Sequence, residues 1–168
     1  MLQEYFGVRV EGAVRIAVPV ADVEAVLQLH QQEICPIPGV APFLLGVVNQ
    51  RGDLVWVLQL SEFLGLPCSS VVAGSVLTAI LVTSQVKYTD SGGGPFPVRR
   101  IACVVAELEG ILYLDAQQLR PLPSNLKSQI RTLFSGIAYN KDMPQMVVLD
   151  SSALFSVLNS KSSTAAPL

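Results

Sequence analysis

Gly46-Val47-Val48-Asn49-Gln50-Arg51-Gly52-Asp53-Leu54-Val55-Trp56-Val57-Leu58-Gln59-Leu60 is the stretch on which the reading of this chain turns. Two aliphatic runs, Gly46 to Asn49 and Leu54 to Leu60, flank the polar Gln50-Arg51-Gly52-Asp53. That pattern predicts a β-hairpin, with Gly52 free to take the positive φ that a tight turn requires. Outward from it the chain keeps the same character. Tyr5 to Val10 and Ala13 to Val18 flank Glu11-Gly12 as a second hairpin. Ala25 to Leu29 reads as a strand after a short turn near Pro19 to Val23, and Pro36, Pro38 and Pro42 mark an irregular connection. Ser61 is placed to cap a short helix through Leu64, stopped by Gly65 and Pro67.

A second set of elements follows. Val76 to Gln85 predicts a long strand, and Ser91-Gly92-Gly93-Gly94-Pro95 a flexible hairpin loop. Arg99 to Ala106 and Ile111 to Leu114 are strand-like, and Ser124 to Arg131 is helix-compatible. Gly136 to Tyr139 and Gln145 to Leu149 make another hairpin, and Asp150 or Ser151 caps a last helix to Leu158. The small, polar tail, residues 161–168, is expected to be disordered.

The two sets are copies. Residues 20–38 align without a gap on 105–123, with eight identities in 19 positions. Val20/Val105, Glu24/Glu109, Leu27/Leu112, Leu29/Leu114, Pro36/Pro121 and Pro38/Pro123 are among them, so both prolines of the Pro-x-Pro element are kept. Further on, Gly46 matches Gly136, and Val57-Leu58-Gln59 matches Val147-Val148-Leu149 or, one residue along, Val148-Leu149-Asp150. A period near 85 residues is too long for a solenoid unit. It suits two small β-domains side by side, each closing its sheet into a barrel and leaving a groove between them.

Composition bounds the function. Hydrophobic residues make up 51% of the chain and charged ones 14%, so much apolar surface must be buried in a core or against partners. Val71 to Val82, the most apolar stretch, is too short to span a bilayer as a helix and is broken by Gly74, Ser75 and Thr78. With no basic-then-apolar leader, the expected location is the cytoplasm, without membrane insertion. Basic residues are scattered rather than clustered, which argues against nucleic acid as a partner. Cys35, Cys68 and Cys103 are dispersed and read as free thiols with no zinc spacing. His30, the single histidine, has no placed nucleophile or carboxylate and reads as an ordinary strand-end residue. Gly92-Gly93-Gly94 lacks the lysine and hydroxyl residue of a phosphate loop. The expectation is no catalysis, no cofactor and no metal.

Phe43 to Leu60, with its glycine, two aliphatics, Asn49, one free position, Arg51 and Gly52, resembles the signature of the CheW-like domain family. Val23 to Leu27, Ile34 to Pro38, Val104 to Pro123 and Val147 to Asp150 resemble it as well, so that the likeness covers residues 5–158. Gln59 departs from the family's aspartate, whereas Asp150 keeps it. The resemblance implies a mainly β fold of two five-stranded, SH3-like barrels packed side by side, with short helices. The domain is expected over residues 5–160. Subdomain 1 is placed at about 13–70 and subdomain 2 at about 76–150, with exchange of the N-terminal strand and the C-terminal helix left open. It further implies a non-enzymatic adaptor that couples a chemoreceptor's cytoplasmic tip to the regulatory domain of a CheA-like histidine kinase. A pilus or phototaxis version of such an adaptor, and a small-ligand-binding barrel, are the alternatives.

The same resemblance singles out an interaction surface of Arg51, Asn49, Gly46, Gln50, Gly52, Val23 and Val48. Each has a plainer reading beside it. Arg51 is either a solvated turn residue or a guanidinium fork for carbonyls and carboxylates of a partner. Asn49 is either a contact or a brace for the hairpin backbone. Gly46 is either a backbone requirement or a point of close approach for a receptor helix, and Val23 is either core or interface.

Overall fold

A computed structural model describes residues 1–68, 72–84 and 99–162 of the chain. The glycine-rich loop at 91–95 and the tail beyond 162 lie outside the described residues. Five strands come first: β1 (Leu2–Glu11), β2 (Val14–Pro19), β3 (Val23–His30), β4 (Leu44–Gln50) and β5 (Asp53–Gln59), followed by the one-turn helix α1 (Leu60–Phe63). Five more repeat the scheme: β6 (Val76–Thr83), β7 (Arg100–Val105), β8 (Glu107–Asp115), β9 (Phe134–Asn140) and β10 (Met143–Leu149), ending in α3 (Ser151–Ser162). A second one-turn helix, α2 (Ser128–Arg131), precedes β9 and is shorter than the run from Ser124 suggested. Helix α3 runs to Ser162 and so takes in the first two residues expected as tail.

The strands form two five-stranded sheets, one ordered β8-β1-β2-β10-β9 and the other β3-β6-β7-β5-β4. Position for position these orders are the same when β1 is read as β6, β2 as β7, and β3, β4 and β5 as β8, β9 and β10. Each half of the chain therefore gives its first hairpin to the sheet built from the last three strands of the other half. The parallel pairings prove the correspondence: β10 meets β2 at Val147↔Ile16, and β5 meets β7 at Trp56↔Ile101. Isolated bridges, Cys35↔Val47 and Arg120↔Ile137, join the segment after β3 to β4 and the segment after β8 to β9, curling each sheet toward closure.

This exchange corrects the barrel boundaries expected at about 13–70 and 76–150. The second barrel is continuous from β3 to β7, and the first is assembled from β1 and β2 together with β8 to β10. The chain crosses between sheets at the short turn Val20–Asp22 and again at Ala106, between β7 and β8. Sequence similarity identifies the repeats, but strand pairing decides the barrels.

The central parts of the exchanged strands β2, β6 and β7 are covered on both faces. In β7, Ile101, Cys103 and Val105 point into a core shared by the two barrels, and Ala102 and Val104 point into the second barrel. In β2, Ile16 and Val18 enter the shared core while Ala17 faces the inside of the first barrel. Two-sided burial is why β6 and β7 read as nearly unbroken apolar runs. Helix α1 adds Leu60, Phe63 and Leu64 to the shared core, and α3 adds Leu154, Phe155 and Leu158. Each such side chain contributes roughly 2 kcal/mol. Cys103 lies within this core, and burial pushes its thiol up to about 12, which keeps it protonated and inert.

Two ion pairs brace the exchange. Arg15 on β2 meets Glu109 on β8 at 2.9 Å, and Arg100 on β7 meets Glu24 on β3 at 2.7 Å. Both arginines and both glutamates are related by the same 85-residue step, so one half's arginine always grips the other half's glutamate. These pairs are partly exposed, each adding no more than about 1 kcal/mol.

The repeats differ at their helix starts. The backbone N–H groups of Gln59 and Asp150 donate to Phe43 and Leu133 in the same way, which settles the alignment of Gln59 on Asp150. Asp150 then caps α3 by accepting from the Ala153 N–H at 3.0 Å. Gln59 makes no such cap, and neither does Ser61, contrary to the expectation for it. The Ser61 hydroxyl is buried and instead accepts from Gln59 Nε2 at 3.1 Å.

Two outcomes are expected. Gln59→Asp should supply the missing cap and stabilise the protein by about 1 kcal/mol, read as a higher midpoint in urea. A protease site inserted between Pro67 and Gly74 should give two fragments that co-elute natively and separate only in denaturant. Neither fragment, refolded alone, should melt cooperatively; fragments that each refold independently would contradict the exchange.

Candidate functional site

The hairpin of β4 and β5 closes on the pair Gln50↔Asp53, leaving Arg51 and Gly52 as its two apical residues. Both lie in the left-handed region, Arg51 at φ 53° and Gly52 at φ 91°. Positive φ at both central positions is the type I′ turn, whose twist matches the flanking strands. Glycine accepts this freely; for arginine it costs about 1 kcal/mol. Arg51 is the single non-glycine residue with positive φ among the described residues.

The surrounding groups hold that turn in place. Asn49 Oδ1 accepts the Gly52 N–H at 2.9 Å, spanning the apex. Below it, Asp53 accepts from Arg100 Nη1 at 3.2 Å, and the same guanidinium binds Glu24. The network Glu24–Arg100–Asp53 thus ties β3, β7 and the start of β5 together beneath the apex. Arg51 is exposed and makes no hydrogen bond or ion pair among the described residues. The result is a free cation on a rigid, braced mount.

The other sequence-selected residues divide. Gln50 is half-buried at the start of the turn, and Gly52 is exposed beside Arg51. Val48 is 5% exposed and packs inside the second barrel, so it is a core residue and not surface. Val23 is half-buried against the shared core. Gly46 is buried at φ 141°, and a Cβ there would run into the carbonyl of Cys35. What approaches Gly46 closely is this chain's own Cys35–Pro36 segment, which leaves no room on that side for a partner. Gly136 repeats the arrangement under Arg120, where a Cβ would lie 2.9 Å from the Arg120 carbonyl oxygen.

Sequence reasoning missed the roles of Glu24, Asp53 and Arg100. A signal was present for two of them, because Arg15/Arg100 and Glu24/Glu109 recur at the repeat distance. It also missed a groove of about 420 Å³ between β3 and β4, with Asn49 and Gln50 on one wall and Val26 to Leu29 on the other. His30 ends β3, where its N–H donates to Glu33 Oε2 at 2.9 Å. No group of histidine, cysteine and carboxylate side chains suited to a metal ion occurs among the described residues.

Comparison with known proteins follows this geometry. The model of the CheW-like domain family matches residues 4–159. A search of curated proteins found no match. Among solved structures, the scaffolding protein TtCheW from Thermoanaerobacter tengcongensis superposes with a TM-score of 0.69 at 17% identity. The alignment covers 89% of this chain and 90% of that one, a likeness of fold across nearly the whole length of both.

The two buried glycines provide a graded test. Gly46→Ala combines a forbidden φ with a backbone clash and is expected to cost about 3 kcal/mol or more. Gly136→Ala meets a less severe contact, at 2.9 Å, without the positive φ and should cost roughly half as much. Urea denaturation of both variants checks the order.

Proposed function

The chain belongs to the CheW-like domain family, and from that membership we propose that it is a non-enzymatic adaptor, coupling the cytoplasmic tip of a chemoreceptor to the regulatory domain of a CheA-like histidine kinase. The observation that carries the reading is Arg51: a cation held in a strained left-handed turn, braced from below and without a partner of its own. Strain of this kind persists where the surrounding structure over-determines it, and it concentrates where function requires a fixed geometry. A guanidinium presented in this way matches carbonyls and carboxylates on a partner surface. Asn49, Gln50 and Gly52 take part as the frame of that apex, and Val23 as the adjacent edge of β3.

Two further features support an adaptor. The fold is shared with a protein described as a scaffold. The two barrels offer two related outer faces, and heterologous contacts through such faces can join several copies and partners into closed rings. The signal then passes as a shift in the kinase equilibrium, bounded by the difference in affinity for its two states.

Reversing the charge, Arg51→Glu, is expected to weaken assembly with receptor and kinase by more than about 2 kcal/mol. Co-sedimentation with receptor-bearing membranes measures this, with an unchanged circular dichroism spectrum as the control for folding. Undiminished assembly would remove Arg51 from the interface.

A further inference from the structure

The second barrel has a seam that the first one covers with its own side chains. Strands β3 and β4 are the two edges of the second sheet and are joined through the Cys35↔Val47 bridge. The groove of about 420 Å³ lies along this seam, lined among others by Val26, Gln28, Leu29, Glu33, Val48 and Asn49. Cys35 and Val47 exchange both backbone hydrogen bonds, at 2.8 and 2.9 Å. Asn49 stands two residues further along the same edge, so its N–H and C=O face the groove. Strand β3 offers the opposing edge. Unpaired strand edges accept an added strand, and the main-chain bonds of an extended segment satisfy them.

The repeat supplies an internal comparison. In the first barrel the positions of Cys35 and Asn49 are taken by Arg120 and Tyr139, and the Arg120 guanidinium lies 4.3 Å from the centre of the Tyr139 ring. A thiol and a short amide in the same places cannot make that cover. Glu33 is the one titratable residue among those lining the groove. Its Oε2 is engaged by the His30 N–H, and its second oxygen has no bond among the described residues. The wall therefore carries a negative charge where the sister barrel has a seated guanidinium nearby.

We propose that this groove binds an extended, arginine-bearing peptide segment of a partner protein. The segment's backbone adds to the edge of β4 at Asn49, and its guanidinium pairs with Glu33. The partner thus provides in trans what Arg120 provides within the first barrel. This does not depend on the receptor or kinase contacts of Arg51.

Panning a phage-displayed library of random heptapeptides against the intact protein tests it. Enriched sequences should carry an arginine flanked by β-branched residues. A synthetic peptide of that sequence should shift the backbone amide resonances of residues 26–29 and 48–50, and should bind Glu33→Arg about tenfold more weakly. The double variant Cys35→Arg/Asn49→Tyr, which copies the cover of the first barrel, should also lose binding while a native-like amide spectrum reports that it is folded. Failure to enrich, enrichment without arginine, shifts confined to other residues, or equal binding by Glu33→Arg would each overturn the proposal.

Discussion

Two hairpins buried on both faces constrain everything else in this protein. Strands β1 and β2, and β6 and β7, each lie inside one barrel and at the same time against the other, because each was given by the half of the chain that does not otherwise build its sheet. An antiparallel hairpin with one wet face can hide its apolar side with a single layer. One with two dry faces needs two layers, and the chain supplies them by interleaving its halves. The result is one shared core in which Ile16, Ile80, Ile101 and Leu154 are essentially inaccessible to water. Much of the apolar surplus of the composition goes there.

With the middle of both sheets sealed, the chain has few places left for contacts with others. These are the sheet edges β3, β4, β8 and β9 and the apices of the hairpins. The apex at Arg51 is mounted on strands that cannot move independently: β5 pairs with β7, an exchanged strand, and the Glu24–Arg100–Asp53 network spans three strands below it. A contact residue gains specificity when the structure beneath it is rigid. The strain at Arg51 is maintained by the packing that creates the fold.

Local chemistry was legible in the sequence, and long-range pairing was not. The turn at Arg51-Gly52, the hairpin around Gly12 and the cap at Asp150 follow from residue types within a few positions of one another. The repeat was legible because both Pro-x-Pro segments survive, and the residue before each, Cys35 or Arg120, lies over a glycine, Gly46 or Gly136. The extent of the exchange was left open because similar repeats do not fix the choice of partner: β2 looks the same whether it pairs with its own half or the other. Val48 was misassigned to the surface because its neighbours Asn49 and Gln50 carry the recognisable pattern, while the alternation of the strand turns Val48 inward. Ser61 was misassigned as a cap because the helix begins two residues earlier than its hydroxyl would dictate, with Gln59 at the cap position. In each case burial within the shared core or a barrel overrode a local preference.

Two halves that share a backbone but differ in side chains also give one fold two distinct surfaces. Equal backbones put equivalent positions at equivalent places, and the side chains then differ. The apex Arg51-Gly52 of one barrel corresponds to Lys141-Asp142 of the other, and the seam residues Cys35 and Asn49 correspond to Arg120 and Tyr139. Two identical barrels would present the same surface twice and would favour a symmetric assembly of one kind of contact. Two barrels with one backbone and different apices and seams present two surfaces of similar shape and distinct charge. Because the halves share a core, neither barrel can be lost or loosened alone, and whatever binds one surface acts on a body that is continuous with the other.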